Sequence, residues 1–299
     1  MTEPIAWING VHCPFSQAAV PVWDMGVVAG AAVTEMARTY RHRPFRLEKH
    51  VQRLVNSLRE LNFPQPFSAN ELTVAATEIV AQNVRRLPED KELGIVLFST
   101  AGSNPTYLGG DSSRTTTVIH TFELPFHLWK SSFENGVRLQ TPSMRQIPAD
   151  CFPVTHKVRN RLHWILADQE ASRIEPGSKA LLLDSDGFVT ETSTSCFFVV
   201  HDGKVGTSSR GVLKSLSGEI VEELAAALKI PFERRPIPAA ELETADEAFV
   251  SSTPVGLLPV SHINGRQIGT RDSKSIFLQL SLAWNSLTGI DSARQILQT

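Results

Sequence analysis

Ala180-Leu181-Leu182-Leu183-Asp184-Ser185-Asp186-Gly187-Phe188-Val189-Thr190-Glu191 is the stretch on which the reading of this chain turns. Four apolar residues in a row, bounded by turn residues, read as a strand buried on both faces. Asp186-Gly187 supplies a tight turn, and the β-rich run 188–200 leads the chain back. The return limb carries a carboxylate, Glu191. A hairpin here argues for mixed or antiparallel sheets, not for an alternating βαβ chain.

Toward the C-terminus the same grammar continues. Asp202-Gly203 is a further hairpin turn. Residues 215–228 read as a helix with Ile220, Val221, Leu224 and Leu228 on one face and Ser215 or Ser217 as N-cap. A short strand covers 247–252, Asn264-Gly265 is one more turn, and a helix over 273–287 closes the chain. Toward the N-terminus, Asn9-Gly10 is a hairpin turn, and 24–30 is a glycine-punctuated loop. Residues 33–40 form a strand closed by the basic turn 41–44. In 48–63, Val51, Leu54, Val55, Leu58 and Leu61 fall at helical spacing. A second helix covers 70–85, and 94–100 and 115–122 are β-rich. The segment 125–134, opened by Pro125, is the expected linker between an N-terminal domain at 1–124 and a C-terminal domain at 135–299. A length of 299 residues fits two domains. The fold class expected is α+β.

Bulk composition removes several classes of function. Hydrophobic residues make up 41% and charged residues 20%, as in ordinary globular proteins, and a net charge of -2 offers no basic surface for nucleic acid. No stretch approaches the ~20 apolar residues of a membrane span, and Met1-Thr2-Glu3-Pro4 does not open like a signal peptide. Cys13, Cys151 and Cys196 are too few and too far apart for a disulfide framework or a zinc site, so a cytoplasmic protein without metal is expected. There is no Walker loop, no GxGxxG and no GxSxG elbow.

Taken alone, the reactive-looking residues are ambiguous. Lys157, in Thr155-His156-Lys157-Val158-Arg159-Asn160-Arg161, reads as a solvated charge. Yet neighbouring cations and burial both depress a lysine pKa, which an amine nucleophile needs. Glu191 reads as a solvated strand carboxylate, Arg53 as a surface arginine on an amphipathic helix, and Thr253 as a turn residue before Pro254.

Read together, four segments resemble the class IV (fold-type IV) aminotransferases. These are Asp24-Met25-Gly26 with Gly30, Val33 and Glu35; Phe45-Arg46-Leu47 with His50, Arg53 and Leu54; Lys157; and the hairpin from Ala180 to Glu191. The order of the segments at 213–217, 245–247 and 252–260 is also similar. The resemblance spans nearly the whole chain. It implies a two-domain fold, with pyridoxal 5'-phosphate at the domain interface, in a homodimer.

By the same resemblance, Lys157 forms the Schiff base with the cofactor and later moves the substrate's Cα proton. Glu191 faces the pyridine nitrogen and keeps it protonated. Arg53 pairs with the phosphate, whose geometry suits a guanidinium. Leu216 and Ser217 offer helix-start N–H groups to it, and Thr253 a hydroxyl. The family's Gly-Ile-Thr-Arg has become Ser215-Leu216-Ser217-Gly218, so a hydroxyl is kept and an arginine is lost. Glu35, Arg38, Arg161 and Pro254 are the candidate substrate contacts.

The subtype is less sharply marked. Glu35-Met36-Ala37-Arg38 and Gly102-Ser103-Asn104-Pro105 resemble branched-chain aminotransferases. Leu162 stands where those enzymes carry a tyrosine, and Pro254 lacks an N–H for a substrate carboxylate. The arginine and histidine of D-amino-acid aminotransferases fall at Thr106 and Leu108. Lys157-x-x-Asn160-Arg161-Leu162 is similar to aminodeoxychorismate lyases. Arg159 and Arg161 either meet a substrate carboxylate or are solvated. The expectation is an aminotransferase moving an amino group between an amino acid or amine donor and a 2-oxo acid acceptor, with pyruvate elimination from aminodeoxychorismate as the alternative. Specificity is expected from loops at 27–32, 106–113 and 253–257.

Overall fold

A computed structural model of the chain describes residues 3–111, 114–269 and 275–297. Two compact units emerge: Met1–Leu124 with His156–Asn160, and Pro125–Thr155 with Arg161–Thr299. The division falls just before Pro125. The stretch 125–134 belongs to the second unit and holds a 3-10 turn, Phe126–Leu128.

The first unit contains β1 (Ile5–Ile8), β2 (Val11–Pro14), α1 (Met25–Val28), β3 (Ala32–Tyr40) and β4 (Arg43–Phe45). It continues with α2 (Leu47–Glu60), α3 (Ala69–Asn83), β5 (Leu93–Thr100) and β6 (Thr117–Glu123). Its sheet runs β2-β1-β6-β5-β3-β4, with every pairing antiparallel. Asn9 and Gly10 take φ of 48° and 92°, the positive angles a two-residue hairpin demands. Arg41 and His42 do the same at 51° and 61° without a glycine. Buried Glu92 supports that turn by accepting from both amides, at 2.6 and 3.2 Å.

Side chains alternate across a strand. Val33, Ala37, Ile95, Leu97 and Ile119 therefore share one face and pack against Val51, Leu54 and Leu58 of α2 and Leu72, Ala76 and Ile79 of α3. Helix α3 starts at a full capping box between Ser68 and Glu71. Helix α2 ends three residues earlier than the periodicity predicts, because Asn62 turns left-handed at φ 54°. The expected loop at 24–30 contains α1, whose N-cap Asp24 is fully buried and also accepts from Thr100 and Thr116.

The second unit contains α4 (Lys130–Asn135), β7 (Val137–Gln140), α5 (Leu162–Ile174), β8 (Lys179–Leu183), β9 (Val189–Thr192), β10 (Cys196–His201) and β11 (Lys204–Ser208). Then follow α6 (Leu216–Ala227), β12 (Phe232–Arg235), β13 (Glu247–Ser252), β14 (Gly256–Ile263), β15 (Arg266–Gln267), α7 (Ile276–Thr288) and α8 (Ser292–Leu297). The sheet runs β12-β11-β10-β13-β14-β7-β8-β9, with β15 on β14. It is mixed: β11/β12, β14/β7 and β7/β8 are parallel.

The β8–β9 hairpin forms as its sequence predicts. Gly187 takes φ 85°, and the Asp184 carboxylate accepts from the amides of Asp186 and Phe188. Helix α5 has no counterpart among the sequence-based expectations. It buries Trp164, Ala167 and Ala171 yet exposes Leu162, Ile165, Leu166 and Ile174 among the polar Gln169, Ser172 and Arg173, so its exposed side is mixed. The closing helix is capped by Ser275; its expected first residues, Ser273 and Lys274, lie outside the described residues, as do Ser112 and Ser113 of the 106–113 loop.

Candidate active site

In the first unit, β3 and α2 bring three polar side chains together. The Glu35 carboxylate, 1% exposed, lies 2.8 Å from His50 Nδ1 and accepts from Arg53 Nε at 2.6 Å and Nη2 at 2.8 Å. The one-turn step from His50 to Arg53 puts both residues over β3. Burial alone would raise the Glu35 pKa, but Arg53 and His50 outweigh it and hold it down at about 2. Burial also lowers the His50 pKa. Of the candidate substrate contacts, Glu35 has both carboxylate oxygens engaged, by His50 and Arg53. Arg38 is 2% exposed, donates to the Thr39 carbonyl at 2.9 Å, and lies 3.9 Å over the Tyr40 ring.

Lys157 reaches the first unit on a segment stitched to the start of β3. The Thr34 amide donates to the Lys157 carbonyl at 2.8 Å, and the Arg159 amide donates to the Ala32 carbonyl at 2.9 Å. β4 covers this edge of β3 only from Arg38 to Tyr40, so its first residues are open to that pairing. Two ladder hydrogen bonds therefore fix the backbone on both sides of Val158, and with it the direction in which the lysine projects.

In the second unit, Glu191 on β9 accepts from the Leu213 amide at 3.1 Å and interacts electrostatically with Arg161. Arg161 also donates to the Ser193 carbonyl and lies 5.4 Å from the Trp164 ring centroid, which ties it to its own unit. Burial drives the Cys196 thiol up to about 12, and Glu191 adds to that rise.

Beside this lies the start of α6. Ser215 is the N-cap and accepts from the Gly218 amide at 3.0 Å; Ser217 sits inside the first turn. The Leu216 and Ser217 amides belong to the four N–H groups that a helix leaves without intrahelical acceptors. Hydroxyls run from Ser215 to Ser217 to Ser251 at 3.0 Å each, linking the helix start to β13. Gly218 is needed here: a Cβ would meet Ser215 Cβ at 3.2 Å and Cys196 Sγ at 3.4 Å. Thr253 and Pro254 form the half-buried turn between β13 and β14. Sequence reasoning missed His50 and Ser251 as members of these clusters. The signals available were the His50–Arg53 spacing and the hydroxyl run Ser251-Ser252-Thr253.

These donors suit a phosphorylated pyridine aldehyde. Helix-start amides and hydroxyls suit a phosphate, a fixed carboxylate suits a pyridinium nitrogen, and a primary amine suits an aldehyde. Leu162, 62% exposed at the head of α5, brings no phenol.

Comparisons with known proteins agree. A profile of the family described as "Amino-transferase class IV" matches residues 32–263. The chain is 27% identical to the branched-chain-amino-acid aminotransferase of Escherichia coli (strain K12), covering 88% of this chain and 86% of that one. It is 29% identical to the D-alanine aminotransferase of Bacillus licheniformis, over 88% and 89%. The crystal structure of a T.th. branched-chain amino acid aminotransferase complexed with N-(5'-phosphopyridoxyl)-L-glutamate superposes with a TM-score of 0.83 at 28% identity, covering 96% and 95%. These relatives are aminotransferases, which disfavours the lyase alternative. The chain belongs to the class IV aminotransferases, transaminases that work with pyridoxal 5'-phosphate.

Proposed function

We propose that this enzyme is a branched-chain-type aminotransferase that moves an amino group between an amino acid, or an amine, and a 2-oxo acid. The observation that carries the reading is Lys157 held on β3 by two ladder hydrogen bonds. Bound pyridoxal 5'-phosphate supplies an electron sink that makes the substrate's Cα–H acidic. In this reading the Lys157 amine would hold the cofactor and would carry the substrate's Cα proton. Glu191, braced by the Leu213 amide, keeps the ring nitrogen protonated. Arg53, aligned by Glu35, binds the phosphate, together with the Leu216 and Ser217 amides and the Thr253 hydroxyl. Arg161 and Pro254 border the substrate.

The test is a half-reaction. The holoenzyme is given L-amino acids, D-amino acids or (R)-amines, then 2-oxoglutarate or pyruvate, and the cofactor's absorbance is followed. Reversible conversion between aldehyde and amine forms is expected. Pyruvate release from aminodeoxychorismate without any half-reaction would restore elimination.

A homodimer is part of the proposal. Leu162, Ile165, Leu166 and Ile174 leave an apolar surface exposed on α5, which a second copy would cover. Sedimentation velocity on the holoenzyme would contradict this by showing a monomer. A cytoplasmic location fits three free thiols, one of them, Cys151, exposed.

A further inference from the structure

We infer that Arg159 recognises the carboxylate of the amino donor, and so makes this enzyme select amino acids over amines without a carboxylate. The inference rests on the transaminase reading, because it names the substrate group that Lys157's neighbour meets.

Placement is the first argument. Val158 packs into the core of the first unit beside Val33, so Lys157 and Arg159 project from the opposite face of the same short strand. Residues two apart on a strand are neighbours on one face, so whatever reacts at Lys157 lies beside Arg159. The Arg159 guanidinium lies 4.1 Å from the centroid of the Phe98 ring. Phe98 is opposite Thr34 in the β3–β5 ladder, and Thr34 is bonded to Lys157. The arginine head is therefore set in the cross-strand row that begins at Lys157. It stands within two strand spacings of it, about 10 Å, a span suited to the lysine arm plus a small amino acid.

Charge is the second argument. Among the described residues no carboxylate pairs with Arg159, and burial lowers its pKa with no acidic group opposing. Asp24, the buried carboxylate at the end of β5, is occupied by Gly26, Thr100 and Thr116. Next to Arg159 stands His120, whose pKa is lowered by burial and by Arg159 itself. Among the described residues its buried Nδ1 has no hydrogen-bond partner. The site thus carries one partly desolvated guanidinium that still reaches solvent, with one flat side on an aromatic ring. A guanidinium stacked this way offers its edge N–H groups in a plane, the geometry that meets a carboxylate with two parallel hydrogen bonds. Arg53 and Arg161, by contrast, are already engaged, with Glu35 and with the Ser193 carbonyl.

The test uses holoenzyme and 4-methylvalerate, an aliphatic carboxylate without an amino group, titrated by calorimetry against the wild type and Arg159→Met. Cofactor absorbance and Tm are recorded to confirm an intact, loaded fold. The expected result is about 10- to 100-fold weaker binding, the range for losing a charge-assisted pair. A matching fall is expected in the ratio of kcat/KM for amino acids to that for amines, carried in KM. Equal affinity in the two proteins overturns the inference. If Arg159→Met does not fold, Arg159→Lys decides. It keeps the charge but not the fork, so weaker binding supports the inference and unchanged binding overturns it. A wild type that transfers no amino group from any donor would fail the transaminase reading instead, so the two failures are distinct.

Discussion

Replacing Glu35 with alanine is the sharpest perturbation of the first unit. It leaves Arg53, whose side chain is 17% exposed, without its bidentate acceptor, and His50, 4% exposed, without the partner of Nδ1. Breaking a buried ion pair from one side costs roughly 3–5 kcal/mol. Arg53 keeps some access to water, so the lower end applies, about 3 kcal/mol. For a protein of this size that lowers Tm by about 6–12 °C. Glu35→Gln keeps the volume and one acceptor, so it costs less, about 1–2 kcal/mol. Acid gives an independent check. The folded carboxyl titrates at about 2, below its value of about 4.3 in an unfolded chain. Its contribution is therefore complete above about pH 4.3 and is lost as pH falls through about 2. Thermal melts of wild type and Glu35→Ala should differ by a constant amount at neutral pH and converge in acid. Cofactor retention should fall too, since Arg53 loses its alignment. An unchanged Tm at neutral pH, or a gap that persists undiminished in strong acid, would refute the reasoning.

Three further outcomes follow from the second unit. Ser215→Ala removes the cap that accepts from the Gly218 amide; it should cost about 1 kcal/mol in thermal melts and weaken cofactor binding in fluorescence titrations. In native thiol labelling at about pH 8, exposed Cys151 should react, slowed by Asp150, while Cys196, held near 12, reacts only on unfolding; early labelling of Cys196 would contradict the packing at α6. Burial and Arg161 push His163 down to about 4, so NMR should find its midpoint there; stability should decline as pH falls from about 6.5 toward 4, because the unfolded chain takes up that proton first.

What the sequence disclosed was what depends on local rules. The Asp186-Gly187 and Asn9-Gly10 turns, the α2 periodicity and the α6 cap are properties of a few adjacent residues: the turns formed as read, α2 formed but stopped at Glu60, and of the two cap candidates Ser215 serves. Helix α5 escaped because its exposed side mixes Leu162, Ile165, Leu166 and Ile174 with Gln169, Ser172 and Arg173, which blurs the apolar period. The short α1 escaped because its cap, Asp24, is satisfied by Thr100 and Thr116, far along the chain. The family's marker residues were legible by their order, but their partners were not. Glu35 was legible as a family marker, but the His50 and Arg53 side chains on its two oxygens were not. Arg159 looked like one charge among several until its stack on Phe98 singled it out.

Reductive trapping tests the role of Lys157 most directly. Holoenzyme is treated with borohydride, digested and mapped by mass spectrometry for a phosphopyridoxyl group. One modified peptide is expected, with the added mass on Lys157, and none after Lys157→Ala. A label on a different lysine, or full transamination by the alanine variant, would contradict that role.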